Sequence, residues 1–157
     1  MDGKRETAIK KLVRGTYENP QVVSRYVDIG LWLSEEILVL EYVPEGARLL
    51  DVGCGAGRAS IALAELGLDV VGIDLSQTMV AVARQQADLT GVEVAFEVMD
   101  VTDLPFPDTC FEVALFSYNG LELLPGREGK RKAMEEIARI LKPGGIFIFS
   151  SHSLFAL

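Results

Sequence analysis

The chain has little cysteine and no long apolar run. Its two cysteines, Cys54 and Cys110, lack the spacing of metal ligands, and without any sign of export they predict neither a disulfide nor a metal site. The longest apolar runs, at residues 70–73 and 146–149, are far shorter than the roughly 20 residues that cross a bilayer. The first residues also lack the apolar segment of a signal peptide. We therefore expect a cytoplasmic protein with no membrane partner.

Positive charge is also scarce. Lys and Arg together number 15 against 23 Asp and Glu, which gives a formal net charge of −8. Because nucleic-acid binding draws on a basic surface, this balance argues against a nucleic-acid partner and favours a small neutral or cationic substrate. At 157 residues, with 49% hydrophobic residues and no repeat or low-complexity tract, the chain suits one globular domain.

The most informative stretch is residues 49–58, Leu-Leu-Asp-Val-Gly-Cys-Gly-Ala-Gly-Arg. An apolar run ends in Asp51, and three glycines spaced two apart then open into a helical pattern. Glycines remove the Cβ atoms that would hold a ligand away, and a helix N-terminus offers unpaired N–H groups. A dinucleotide fingerprint reads G-x-G-x-x-G, whereas Gly53, Gly55 and Gly57 give G-x-G-x-G, and Asp51 would repel a pyrophosphate. The loop therefore predicts a ligand that carries positive charge.

Short apolar runs alternate with helical patterns from residue 46 onward. Such alternation predicts an α/β fold with a doubly wound, mostly parallel sheet of about five strands and helices on both faces. Residues 1–45 predict a helical cap segment in which Leu33, Ile37 and Leu40 form one apolar stripe. The predicted order in the core, residues 46–157, is strand 47–52, helix 57–66, strand 69–73, helix 76–89, strands 93–98 and 111–116, helix 127–141 and strand 145–150.

Three carboxylates and one aromatic ring follow the predicted strands at their carboxyl ends. They are Asp51, Asp74, Asp100 and Phe116. In an open sheet wound this way, ligands bind outside the carboxyl ends of the strands, so we expect these residues to share one site. The carboxylate of Asp74 can accept both hydrogens of a ribose diol, although aspartate is also common as a turn or cap residue.

With these motifs in this order, the chain resembles the class I S-adenosylmethionine-dependent methyltransferases from about residue 26 to about residue 152. The resemblance depends on Asp51 with the glycines, Asp74, Met99-Asp100-Val101, the strand pattern at 111–116, and the turn and strand at 141–149. It implies a Rossmann-like fold and S-adenosylmethionine as the cofactor.

The resemblance also implies roles for individual residues. It places the glycine loop, Gly53, Cys54, Gly55 and Gly57, along the methionine portion of the donor, with Asp51 at its amino end. It implies that Asp74 holds the ribose, that Leu75 and Met79 flank the adenine, and that Asp100 and the Val101 N–H read the adenine edge. Phe116, Ser117, Tyr118 and Asn119 would line the donor near the methyl group, and Tyr26 would close over the donor.

The acceptor side is less defined. His152, the only histidine, is either a general base or a solvent-facing, locally hydrogen-bonded side chain. Tyr118 and Asn119 either orient an acceptor or only shape their loop. We expect Trp32 to pack in the core and Arg58 to lie exposed on the first turn of its helix.

The family's sheet normally has seven strands, with an antiparallel hairpin after the fifth. This sequence stops at Leu157, soon after the predicted fifth strand, so we expect the sheet to lack the hairpin. Strand five would then present an apolar edge, which soluble proteins normally cover or pair. This predicts either a fragment of a longer protein or a homo-oligomer formed through the strand-five edge.

The leading functional hypothesis is an S-adenosylmethionine-dependent methyltransferase that acts on an unidentified small-molecule acceptor. Two alternatives stay open. One is a module that binds S-adenosylmethionine without turnover. The other is an NAD(P)-dependent oxidoreductase, because an acid after the second strand also serves the ribose of a nicotinamide cofactor. The glycine spacing and Asp51 count against the oxidoreductase.

Overall fold

Parallel strands in one sheet form the centre of the molecule. The computed structural model describes residues 2–19, 21 and 30–152, with side chains from residue 7 onward. The strands are β1 (Arg48–Val52), β2 (Asp69–Asp74), β3 (Ala95–Val98), β4 (Phe111–Phe116) and β5 (Leu141–Phe149). Their order across the sheet is β3-β2-β1-β4-β5, and every strand pairing in the described part of the chain is parallel.

Helices connect and cover the strands. They are α1 (Asp2–Tyr17), α2 (Leu33–Tyr42), α3 (Arg58–Glu65), α4 (Gln77–Thr90) and α5 (Gly126–Ile140), with a 3₁₀ turn at Gly120–Leu123. None of the helices in the described residues is both long enough and apolar enough to span a bilayer.

The sheet is buried on both faces because its strands are apolar at consecutive positions. In β1, neighbouring side chains point to opposite faces. Leu49 packs with Leu63 of α3, and Leu50 packs with Ile137 of α5. Helices therefore cover both sides of the sheet, and the predicted doubly wound α/β fold is confirmed.

The strand boundaries agree closely with the sequence pattern except in β5. This strand begins at Leu141, where the sequence predicts the last helical residue. Leu141 pairs with Phe111 and Ile146 pairs with Val113, so residues 142–145 loop out of the ladder. Gly144, at φ 78°, makes this irregularity without a Cβ penalty.

The predicted stripe on α2 is wrong. Leu33, Ile37 and Leu40 are 73%, 50% and 66% exposed, whereas Glu35 and Val39 of the same helix are buried. The inward face carries Val39, which packs in the core, and Glu35, which forms the ion pair described below. The expected core position of Trp32 is also wrong, since this side chain is 51% exposed next to the start of the helix.

Candidate functional site

A cavity opens at the carboxyl ends of the strands, under α1. It brings together the four strand-end residues that the sequence singles out, Asp51, Asp74, Asp100 and Phe116. The cavity is also lined by Gly53, Cys54, Gly55, Leu75, Met79, Val101, Ser117 and Tyr118. Gly57, Asn119 and His152 lie outside this lining, and Tyr26 lies outside the residues that the structure describes.

The glycine loop between β1 and α3 is held by hydrogen bonds to β2. The N–H of Cys54 donates to the carbonyl of Ile73 at 2.9 Å, and the N–H of Gly55 donates to Oδ2 of Asp74 at 2.9 Å. Gly55 has a φ of 54°, and no atom lies within 4 Å of the place where its Cβ would be. The loop therefore offers bare backbone to the cavity.

Gly57 lies against protein side chains and not against the cavity. Its φ is 87°, and a Cβ there would lie 3.0 Å from Phe96, 3.1 Å from Ala83 and 3.2 Å from Ile61. Glycine at this position allows the start of α3 to pack against α4 and β3. The cofactor contact that the family resemblance assigns to Gly57 therefore finds no support in its position, because Gly57 is buried against protein atoms.

Asp51 is a buried carboxyl group that faces the cavity. Asp51 is 1% exposed, and its Oδ2 accepts a hydrogen bond from the Ser60 hydroxyl at 2.6 Å. Burial disfavours the charged form and raises the pKa of Asp51 to about 7. A cationic ligand in this cavity would stabilise the carboxylate, so the group is suited to bind an ammonium.

Asp74 is fixed by the backbone on both oxygens. Oδ2 accepts from Gly55 N–H, and Oδ1 accepts from Ser76 N–H at 2.8 Å. Burial raises the pKa of Asp74 and outweighs these hydrogen bonds, which act in the opposite direction. Each carboxylate oxygen has a further lone pair. The group can therefore accept two hydroxyl hydrogens from a diol without losing its backbone bonds.

Asp100 is held by a residue that the sequence did not indicate. Lys10 of α1 donates from Nζ to Oδ2 of Asp100 at 2.6 Å. Oδ1 accepts from the N–H and the hydroxyl of Thr102 at 3.0 Å and 2.7 Å. Burial alone would raise the pKa of Asp100, but the hydrogen bonds from Lys10 and Thr102 lower it below its ordinary value. The contact fastens α1 over one end of the cavity.

Arg58 is buried, and its expected exposure is wrong. Its side chain is 6% exposed and forms a bidentate pair with Glu35, at 2.8 Å from Nη1 and 3.0 Å from Nη2. The guanidinium also donates to Ser117 Oγ at 2.5 Å and to the carbonyl of Gly30 at 2.8 Å. Burial acts to raise the pKa of Glu35, but the hydrogen bond from Arg58 helps to lower it overall. This network joins α2, α3 and the end of β4 at the cavity wall.

The loop after β4 adopts an uncommon backbone conformation. Tyr118 and Asn119 have φ values of 56° and 58°, in the left-handed region that few residues other than glycine adopt. The N–H of Asn119 donates to Ser150 Oγ at 2.9 Å, which ties the turn to the end of β5. Tyr118 lines the cavity and packs edge-on against Trp32, with ring centroids 5.9 Å apart.

His152 lies beside this loop. Its side chain is 72% exposed, and its Nδ1 is 2.6 Å from Oε2 of Glu122. Its Nε2 is 3.3 Å from Nδ2 of Asn119. The structure therefore shows both the exposure and the local hydrogen bonding that the sequence predicts for this side chain.

Neither cysteine is bonded to another. Cys54 is buried, and burial raises the pKa of its thiol, which makes it a poor nucleophile. Among the residues that the structure describes, no group of three His, Cys, Asp or Glu side chains could hold a metal ion.

Comparison with known proteins identifies the fold and the family. The model of the family described as "Methyltransferase domain" matches residues 49–145. The putative methyltransferase YqeM of Bacillus subtilis is 34% identical over 115 residues, which are 73% of this chain and 46% of that protein. The uncharacterized methyltransferase YcgJ of the same organism is 32% identical over 137 residues, 87% of this chain and 51% of that protein. This chain thus spans about half the length of these curated relatives.

Solved structures agree with the sequence comparison. The crystal structure of YcgJ has a TM-score of 0.69 at 31% identity and covers 76% of this chain and 50% of that one. The crystal structure of a SAM-dependent methyltransferase from Methanosarcina mazei has a TM-score of 0.70 at 28% identity and covers 77% of this chain and 57% of that one. Since the domain model covers more than half of the sequence and both curated relatives exceed 30% identity, this chain belongs to the class I S-adenosylmethionine-dependent methyltransferases.

Proposed function

We propose that this chain binds S-adenosylmethionine in the cavity at the strand ends and transfers its methyl group to a small-molecule acceptor. The observation that carries the proposal is the buried Asp51 carboxyl group, which faces the same cavity as Asp74 and the open backbone at Gly55. In this cavity Asp51 could bind an ammonium, Asp74 could bind a diol, and the open backbone at Gly55 could lie against the ligand atoms between them.

The residues present fit this cofactor. Asp51 would bind the ammonium of the methionine portion, and the backbone of Gly53, Cys54 and Gly55 would lie along it. Asp74 would hold the ribose hydroxyls. At the adenine end, Leu75 and Met79 would form the walls, and Asp100 and the Val101 N–H would read the base edge. All of these residues line the cavity.

The chemistry divides between the donor and the protein. When bound, S-adenosylmethionine supplies an electrophilic methyl group on a sulfonium. The protein must place the acceptor, exclude water and receive a proton. Phe116 and Ser117 line the cavity, with Phe116 close to Gly53 of the glycine loop, and Val13 and Tyr17 of α1 also line it. We therefore propose that residues 1–45 act as a cap over a core that starts at residue 46.

The catalytic assignments are proposals of the same kind. His152 would accept the proton, and Tyr118 and Asn119 would orient the acceptor. Their support is positional, because all three belong to the cluster after β4 and β5, beside the cavity. We also propose that Tyr26 contacts the donor, as the family resemblance implies.

Ligand titration tests the proposal directly. S-adenosylhomocysteine should raise the melting temperature of the protein and NAD should not, because the Asp51 carboxylate repels a pyrophosphate. Asp51→Asn should reduce the shift. Asp69→Asn is a matched control, since Asp69 is exposed at the opposite end of β2. Stabilisation by NAD alone would favour the oxidoreductase. Donor binding without any methylated product, across a panel of acceptors, would favour a binding module.

The outer edge of β5 supports a second proposal, that two copies associate there. Among the described strands, β5 pairs on one side only. Phe147 and Phe149 stack on this strand with centroids 5.2 Å apart, and Phe149 is 49% exposed. Light scattering should report a dimer, and a monomer at high concentration would exclude the pairing. The cytoplasmic location and the absence of a nucleic-acid partner remain predictions from composition.

A further inference from the structure

We propose that Glu122 is a positioning residue that orients the His152 ring so that Nε2 can accept a proton, and that this proton comes from the hydroxyl group of a small-molecule acceptor. This inference rests on the proposed methyl transfer and extends it to the substrate class. Glu122 lies in the 3₁₀ turn that follows the loop after β4.

The Glu122 carboxylate holds His152 at two points. Oε2 is 2.6 Å from ring Nδ1, and Oε1 accepts the backbone N–H of His152 at 2.8 Å. The Ser151 hydroxyl donates to the same Oε1 at 2.8 Å. The ring and the backbone of His152 are thus both tied to one carboxylate, which restricts the orientation of the imidazole although the side chain is mostly exposed.

The charge of Glu122 selects the tautomer of His152. Hydrogen bonds from the His152 ring, the His152 backbone N–H and the Ser151 hydroxyl lower the pKa of Glu122 to about 2. An ionised carboxylate can only accept hydrogen bonds, so Nδ1 must carry a proton. In the neutral ring, Nε2 then has the free lone pair.

The second ring nitrogen, Nε2, faces Asn119, whose two neighbours in the chain line the cavity. Nε2 is 3.3 Å from Nδ2 of Asn119, which in this tautomer donates to the lone pair. Asn119 lies between Tyr118 and Gly120, both of which line the cavity. The left-handed backbone of Asn119 and its hydrogen bond to Ser150 hold the amide at this place. An acceptor hydroxyl can replace the Asn119 amide as the donor to Nε2.

The reaction then balances in atoms and charge. The acceptor O–H bond breaks and its proton passes to His152 Nε2, while the acceptor oxygen forms the bond to the methyl carbon. The carbon–sulfur bond breaks and its electron pair stays on sulfur, which becomes neutral. The positive charge ends on the imidazolium of His152, where the Glu122 carboxylate stabilises it.

The tautomer can be measured without a substrate. His152 is the only histidine, so ring ¹⁵N spectra of histidine-labelled protein report one residue. We expect the neutral ring to carry its proton on Nδ1 in the wild type, and to shift toward Nε2–H in Glu122→Ala. Glu122→Gln, which retains an oxygen acceptor, should restore the Nδ1–H form. Glu128→Ala is the control, because Glu128 is an exposed residue whose ion pair is with Arg131.

Kinetics separates this inference from the proposed function. With a hydroxyl-bearing acceptor found by screening, Glu122→Ala should lower kcat about 10-fold or more and leave S-adenosylhomocysteine affinity unchanged. A wild-type ring protonated on Nε2, or an unchanged tautomer in Glu122→Ala, would overturn the positioning role. Turnover confined to acceptors without a hydroxyl would overturn the substrate class. Failure to bind S-adenosylhomocysteine would instead overturn the methyltransferase proposal.

Discussion

Donor affinity should depend on pH through the buried carboxyl group of Asp51. Its pKa is raised to about 7 by burial, so the cavity holds a carboxylate in only about half of the molecules at pH 7. If the ammonium of the ligand binds the ionised form, the apparent Kd is the intrinsic Kd divided by the ionised fraction. That fraction falls from about one half at pH 7 to about one tenth at pH 6. The Kd for S-adenosylhomocysteine should therefore rise about fivefold.

Isothermal titration calorimetry at pH 6 and pH 7 measures this change. Asp51→Asn should bind more weakly at pH 7 and lose the difference between the two pH values, because its amide does not ionise. Asp69→Asn retains Asp51 and should keep the fivefold difference. Calorimetry in buffers of different ionisation enthalpy should also show that wild-type protein releases a proton on binding at pH 6.

The same group predicts the pH dependence of stability, with a defined sign. The folded pKa of Asp51 lies above its ordinary value of 3.8, so its contribution is fully present below that value and is lost as pH rises through about 7. The free energy of unfolding of the ligand-free protein should fall over this window, and saturating ligand should reduce the fall.

For ligand affinity, a Kd that is equal at pH 6 and pH 7 in the wild type, or a fivefold change retained in Asp51→Asn, would refute the reasoning.

Two further predictions concern stability and are measured by urea denaturation. Glu35→Gln should lower the free energy of unfolding by about 3 to 5 kcal/mol, because it leaves the buried Arg58 guanidinium without its counter-charge. The double variant Glu35→Leu, Arg58→Met should recover most of that loss, and losses that simply add would contradict this account. Gly57→Ala should cost on the order of 2 kcal/mol, from its left-handed φ together with contact on Phe96 at 3.0 Å. Gly67→Ala has the same φ of 87° with no atom within 4 Å, so it should cost about 1 kcal/mol, and equal losses for the two glycines would refute the packing role of Gly57.

Apart from the start of β5, the errors of sequence interpretation concern side chains outside the sheet: the apolar stripe of α2, Trp32 and Arg58. On α2, hydrophobicity favours burial of Leu33 and Ile37, but the helix buries Glu35 instead. Periodicity identifies an apolar face only when the hydrophobic effect alone decides the orientation of a helix. Here the buried face holds the bidentate pair of Glu35 with Arg58 beside Val39, and the pattern of α2 contains no sign of that partner.

The sequence by itself determined the sheet, the glycine loop and the carboxylates at the strand ends. These are local features, because consecutive residues determine strand and helix patterns, glycine spacing and strand ends. Parallel winding then brings the strand ends together. Only the tertiary structure decided which charged groups meet. Arg58 and Glu35 are 23 residues apart, Glu122 and His152 are 30 apart, and Lys10 and Asp100 are 90 apart. Such pairs depend on how separate elements pack, and no periodicity of a single element encodes them.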